Sequence, residues 1–430
     1  ADFKRYISVG NSLTQGYQDG GLYEEGQSMS YPSIIARQMK LAQPNMGEFR
    51  QPMVTQNGSG YMHLAYINGE LKPISANDNT IPGSYLEDGS WANWGTSEKT
   101  QKYNNLGIAG VKLIQCVNFD HLDDNTTNGV ILGGLDISVL GQSIQQDGNP
   151  YARFLDFGEA EVNVPILGNI GGTPKEYLDH VKQSNATFFT CWLGNNDVLG
   201  YVVNGGTPNV ISNSTIGLSV DLNALSDEFE FEAKYDSIIK AFSNQGAKGV
   251  CATLPNVTSI PFVTTFTVET LKADYNFNKV WITDYNENVR EATEKDYVLL
   301  HASASIAQGK GQSQANPFTN YDVLDEEEVS RAKAHTAKLN ASIYKIAGSY
   351  GFPVADMFTY MDNLSAGFTF DGIDMNISYI QGGTFSLDGI HPNPRGYAVV
   401  ANEFIRVINT TYNSNIPKVS VGNYRGVKFP

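Results

Sequence analysis

The stretch Thr187–Leu193 reads TFFTCWL, a dense apolar run with no polar alternation. A strand with one wet face alternates apolar and polar residues. A strand without that alternation is covered on both faces, as in parallel sheets whose crossover helices lie over each side. The pattern around it recurs: a short apolar run, a glycine-rich turn, then a helix-like stretch. Tyr6–Val9 is the first such run, and Phe49–Thr55 is expected to be a second strand. Gly249–Leu254 (GVCATL) and Pro353–Met357 (PVADM) supply two more. Helical spacing of apolar residues predicts helices over Tyr31–Leu41, Asp227–Phe242, Asp322–Ser349 and Pro394–Asn409. Pro32 suits a first helical turn. Asp325, Glu326, Glu327 and Glu328 fall where a helix dipole favours negative charge, and read as a solvated helix start. Alternating strands and helices predict an α/β chain with a doubly wound parallel sheet. Right-handed crossovers collect the strand C-termini on one edge, where such folds bind ligands. Ser12 and the segment after Leu193 both fall on that edge.

Three stretches interrupt the pattern: 57–100, with Trp91 and Trp94; 117–175; and 256–320, with Trp281. They are too long for plain connections. They read as insertions on one core, making residues 1–430 a single domain. The formal net charge is −16, from 29 Lys+Arg against 45 Asp+Glu. No basic cluster offsets it, which argues against nucleic acid and against anionic membrane surfaces as partners. No apolar run is long enough for a transmembrane helix. Cys116, Cys191 and Cys251 are too few and too scattered for a disulfide framework or a zinc site, and read as buried thiols. The chain begins at Ala1 without Met, and Asn, Tyr, Gly and Thr are plentiful where Lys is scarce. The expectation is an exported protein, secreted, periplasmic or on the outer surface, whose signal segment has been removed.

No cofactor is expected. Gly16 is followed by Tyr17 and Gln18 rather than the Lys-Ser/Thr of a phosphate loop. Gly10 to Gly16 lacks the middle glycine of a dinucleotide fingerprint. Asp284–Asn288 begins like a calcium loop, but Val289 and Lys295 occupy its sixth and twelfth positions. The acidic run at 325–328 is better explained as a helix start than as paired glycosidase carboxylates.

Four islands are left: GNSLTQG at 10–16, NNLGIAG at 104–110, LGNND at 193–197 and LDGIHPNPRGY at 387–397. Each alone is ordinary turn chemistry. Together they hold what acyl transfer needs. A serine hydroxyl becomes a nucleophile when a base takes its proton. His391 can be that base for Ser12. Asp388, three residues earlier, can bind one ring nitrogen and leave the other to face the serine. Gly389 permits the tight turn, and Pro392 and Pro394 stiffen the chain beyond it. Candidate donors to the oxyanion are the backbone N–H groups of Ser12 and Gly107 and the side-chain amide of Asn196. His63, His121, His180, His301 and His335 have no carboxylate three residues before them in a comparable turn, and read as surface or packing residues.

This set of blocks, in this order, resembles the SGNH hydrolases, also called GDSL lipases or esterases. The first block is Gly10-Asn11-Ser12-Leu13, the second centres on Gly107, the third is Gly194-Asn195-Asn196-Asp197, and the last is Asp388-Gly389-Ile390-His391-Pro392. The resemblance implies a flavodoxin-like three-layer α/β/α fold and metal-free hydrolysis of esters. One position departs from the family: its usual Asp is Asn11 here, isosteric but uncharged. The expected function is therefore a lipase- or acylesterase-type serine hydrolase. Its catalytic residues would be Ser12, Asp388 and His391, with an oxyanion hole from Ser12, Gly107 and Asn196. The substrate would be a small-molecule or glycan-borne ester. The alternative is a catalytically silent glycan- or acyl-binding protein on the same fold. The acyl chain length, the role of the insertions and the oligomeric state are not legible in the sequence.

Overall fold

A computed structural model of the protein describes residues 1–54, 57–74, 103–117, 177–213 and 218–430. It also describes the backbone of two short hairpins, Ile131–Leu132 with Leu135–Asp136 and Val162–Val164 with Gly168–Ile170. Trp91, Trp94, His121 and most of the insertions at 57–100 and 117–175 lie outside the described residues.

Five strands form the central sheet: β1 Tyr6–Gly10, β2 Asn105–Gly107, β3 Phe188–Trp192, β4 Lys248–Ala252 and β5 Val354–Ala355. Their order is β2-β1-β3-β4-β5, and every pair is parallel. That is the flavodoxin-like order, and it reverses direction between β1 and β3. The register sets Gly10 beside Gly107 on one side and Trp192 on the other.

Successive strand residues point to opposite faces, and both faces are apolar. Tyr6, Phe188, Trp192 and Val250 enter one core; Ile7, Val9, Phe189 and Cys251 enter the other. The principal helices are α1 Ser12–Gln15, α2 Tyr31–Ala42, α3 Asn196–Val203, α4 Glu228–Asn244, α5 Glu326–Ser349 and α6 Pro394–Tyr412. Ile34 and Ile35 of α2 and Val400 and Phe404 of α6 close the first core. Phe231 and Ile238 of α4 and Leu339 and Ile343 of α5 close the second. The expected helices are all present. Two start later than expected, at Glu228 and Glu326, because Asp227 and Asp325 cap them through side-chain oxygens, and Asn393 caps the helix that begins at Pro394 as expected. The acidic run at 325–328 is not wholly solvated: Asp325 and Glu328 form a reciprocal capping box, and Glu328 is fully buried. Burial pushes the Glu328 carboxyl up to about 8.

Two expectations need correction. Residues 49–54 form no strand, and the second sheet position belongs to Asn105–Gly107. The backbone groups of 49–54 are taken by neighbours instead. The Arg50 carbonyl accepts from the Asn104 amide at 2.8 Å, and the Val54 amide donates to Gln27 Oε1 at 2.7 Å. The insertion at 256–320 is more than decoration. It has its own small core, including Phe266, Leu271, Phe277, Ile282 and Phe318. A three-stranded antiparallel sheet of Phe266–Thr267, Tyr297–Val298 and Val323–Leu324 accompanies it. Its calcium-like acidic stretch is occupied by an arginine of the same hairpin: Arg290 pairs with Asp284 at 3.2 Å and Asp296 at 2.7 Å. The three cysteines are buried and free.

Candidate active site

The strand order reverses between β1 and β3, and a crevice at such a switch point is where this architecture binds ligands. Ser12 lies immediately beyond β1. Asn11 accepts from the Leu13 amide at 3.2 Å and so caps α1, of which Ser12 is the first residue. The other half of the site comes from the loop before α6. His391 Nε2 lies 2.8 Å from Ser12 Oγ, and His391 Nδ1 lies 2.9 Å from Asp388 Oδ2. An ionised carboxylate only accepts, so Nδ1 carries the proton and Nε2 presents its lone pair to the serine hydroxyl. Ser12 and His391 are only 6% and 7% exposed, so the pair sits in a largely dry setting. The Tyr17 ring packs against the His391 ring with centroids 4.9 Å apart.

The loop is built around Asp388. Its Oδ1 accepts from the amides of Ile390 and His391, both at 2.8 Å, and from Ser386 Oγ at 3.0 Å. Burial alone would raise this carboxyl. The interaction with His391 and the hydrogen bonds from the loop outweigh it and hold Asp388 below the usual carboxylate range. Gly389 has φ +70°, and a Cβ there would sit 3.0 Å from the Phe262 nitrogen. The Phe262 amide also donates to the Gly389 carbonyl at 2.9 Å, so the 256–320 insertion grips this turn.

A second buried carboxylate, absent from the residues expected in the site, lies behind the first. Asp19 Oδ1 accepts from the Leu387 amide at 2.9 Å, and Asp19 Oδ2 accepts from the Tyr23 hydroxyl at 2.7 Å. The Asp19 amide donates to Ser386 Oγ at 2.9 Å. Burial raises the Asp19 carboxyl above its ordinary value, against the pull of these bonds. The only sequence signal is an acid in the turn Gln18-Asp19-Gly20-Gly21, which reads as plain turn chemistry.

Gly107 does not fit the donor role expected of it. Its amide is spent on Asn105 Oδ1 at 3.0 Å. Glycine is required there because a Cβ would lie 2.5 Å from the Gln15 nitrogen, so the close approach is to α1 and not to a substrate. Gly110, three residues on in the same block, is exposed, has φ +82°, and donates its amide to no other described residue. Its neighbours are clamped. The Ala109 amide donates to Gln15 Oε1 at 2.9 Å, and Asn196 Nδ2 donates to the Val111 carbonyl at 2.8 Å. Asp197, fully buried, accepts from the Leu113 amide at 2.7 Å and is pushed up to about 6 by that burial. The third block therefore fastens the second, and among the described residues one Asn196 N–H has no acceptor.

With this geometry in place, the family is plain. The chain belongs to the GDSL-like Lipase/Acylhydrolase family, whose model matches residues 6–404. Its fold is the SGNH hydrolase fold, and its class is a hydrolase of the lipase/esterase type. No curated protein shows significant similarity to the chain. Among solved structures, LAE5, an alpha/beta hydrolase enzyme from the metagenome of Lake Arreo, Spain, aligns over 95% of each chain at 10% identity with a TM-score of 0.37. That likeness is too loose to bear on the site. No described helix is long and apolar enough to cross a membrane.

Proposed function

We propose that the protein hydrolyses carboxylic esters through an acyl-serine intermediate. The observation that carries this reading is the row Ser12 Oγ–His391 Nε2 at 2.8 Å and His391 Nδ1–Asp388 Oδ2 at 2.9 Å. In it Ser12 Oγ attacks the acyl carbon as His391 Nε2 takes the hydroxyl proton. Asp388 fixes the tautomer and stabilises the imidazolium. The negative oxygen of the tetrahedral intermediate is held by the Ser12 amide, the Gly110 amide and the free N–H of Asn196. The C–O bond to the alcohol then breaks, and His391 gives its proton to the leaving oxygen. A water, deprotonated by His391, attacks the acyl-serine. Release of the acid returns the proton to Ser12 Oγ.

The test is Ser12→Ala, assayed with p-nitrophenyl acetate and with a labelled fluorophosphonate, which marks only an activated serine. The wild type should turn over the ester and take the label, and the variant should do neither while keeping its circular dichroism spectrum. A variant that keeps most of its turnover removes Ser12 from the chemistry. A wild type that takes no label and turns over no ester favours the silent binding protein.

A further inference from the structure

We propose that an apolar cavity walled by the chain neighbours of Ser12 and His391 seats a short aliphatic chain of the ester and so sets the chain length the enzyme accepts. This rests on the reading of Ser12 as nucleophile. The cavity is lined near the chemistry by Leu13, the residue after Ser12, and by Ile390 and Pro392, which flank His391. Its far wall is Ile260 from the 256–320 insertion, Met361 from the helix Met357–Ser365, and Ile377.

Three observations identify the occupant. Leu13, Met361, Ile377 and Ile390 are each only partly buried, yet all face one concavity. Scattered apolar residues at a surface need no explanation, but a concave group of them that includes the chain neighbours of Ser12 and His391 leaves apolar surface that a ligand can cover. The second observation is charge. Among the described residues no cation lines the cavity, and its one ionisable group is the acid Asp362. Asn256 Nδ2 donates to that carboxylate at 3.2 Å at the exposed rim, and the hydroxyl of Ser259 is the other polar side chain of the lining. A carboxylate or phosphate on the substrate would find no cation here and would meet the like charge of Asp362. The third is size. The cavity volume is about 40 Å³, roughly three times what one water needs, which suits a chain of about three to four carbons.

The chain belongs to the acid or the alcohol half of the ester, and two substrate series separate them. kcat/KM is measured on p-nitrophenyl esters from acetate to decanoate, and on acetate esters of alcohols from methanol to hexanol. The enzymes are the wild type, Met361→Trp and Met361→Ala, with folding checked by thermal melting. In one series the wild type should prefer about four carbons. In that series Met361→Trp should lower the four-to-two-carbon ratio about tenfold, and Met361→Ala should raise the six-to-four-carbon ratio, as expected when methylenes are gained or lost in an apolar pocket. The responding series names the half that binds. Ratios unmoved in both series, or moved the same way by both variants, overturn the proposal. Loss of ester turnover and of fluorophosphonate labelling in the wild type would instead bring down the underlying function. That result differs from a labelled, active enzyme indifferent to residue 361.

Discussion

Replacing Asp388 by Asn changes one atom, and the structure says which one. Asp388 Oδ1 accepts from Ser386 Oγ, the Ile390 amide and the His391 amide. Three donors converge there, so the amide oxygen of Asp388→Asn must stay on that side. The new NH₂ then takes the place of Oδ2, which now accepts from His391 Nδ1 at 2.9 Å and from the Gly20 amide at 3.0 Å. Gly20 lies at the exposed rim and can turn to water at little cost, so the protein should still fold. His391 has no such escape. Facing a donor, Nδ1 must give up its proton and become the acceptor, and the proton moves to Nε2. The nitrogen 2.8 Å from Ser12 Oγ then carries a hydrogen and cannot take another. A base held in the wrong tautomer costs on the order of 10⁴ in kcat, about 5.4 kcal/mol of barrier. The assay is steady-state hydrolysis of p-nitrophenyl acetate at neutral pH, with Ser12→Ala as the floor and a melting curve for each variant. A well-folded Asp388→Asn enzyme within tenfold of wild type would refute the tautomer argument and the orienting role of Asp388 with it.

Three other outcomes are expected. Asn196→Ala should lower kcat on the order of 10²–10³ with little change in KM, because the lost donor acts on charge that develops only in the intermediate; an unchanged kcat assigns that donor elsewhere. Asp19→Ala leaves the buried Leu387 amide without its acceptor, a cost of about 1–3 kcal/mol. It should lower kcat about tenfold by loosening the Asp388 loop, and Asp19→Asn, which keeps an oxygen for Leu387, should recover most of it; equal losses would show that Asp19 does not act by holding Leu387. Glu328 sits above its unfolded value, at about 8, so the stability it contributes is fully present below the ordinary glutamate range and is lost as pH rises through 8. Melting temperatures from pH 4 to pH 9 should therefore fall more steeply for the wild type than for Glu328→Gln, and parallel curves would contradict this.

How much of the molecule is legible in its sequence depends on the range of the forces involved. Thr187–Leu193 announces a buried parallel strand because every residue of such a strand must answer to an apolar neighbour. The meeting of Ser12 with the Asp388–His391 turn is readable because each block carries its own local geometry and the α/β edge supplies the rest. Phe49–Thr55 misleads because its apolar content suits a strand, whereas Gln27 and Asn104, distant in sequence, claim its backbone groups. Gly107 and Gly110 show a finer limit. A glycine signals that something comes close, but not whether the visitor is a substrate or the backbone of α1. Asp19 is invisible because its partner Leu387 lies 368 positions away. Glu328 passes for a solvated acid because a capping box and an exposed acidic turn look alike until burial is known.

The serine and the histidine of the proposed triad stand 379 positions apart along the polypeptide. During translation the serine leaves the ribosome long before the histidine exists, and no growing fragment has any chemistry to perform. The same holds in reverse for a protease that trims the finished molecule: once the last helix and the loop before it are clipped away, the serine survives and the reactivity does not. Under the proposed mechanism, half-made or clipped copies cleave no ester, and no inhibitor is needed to keep them silent.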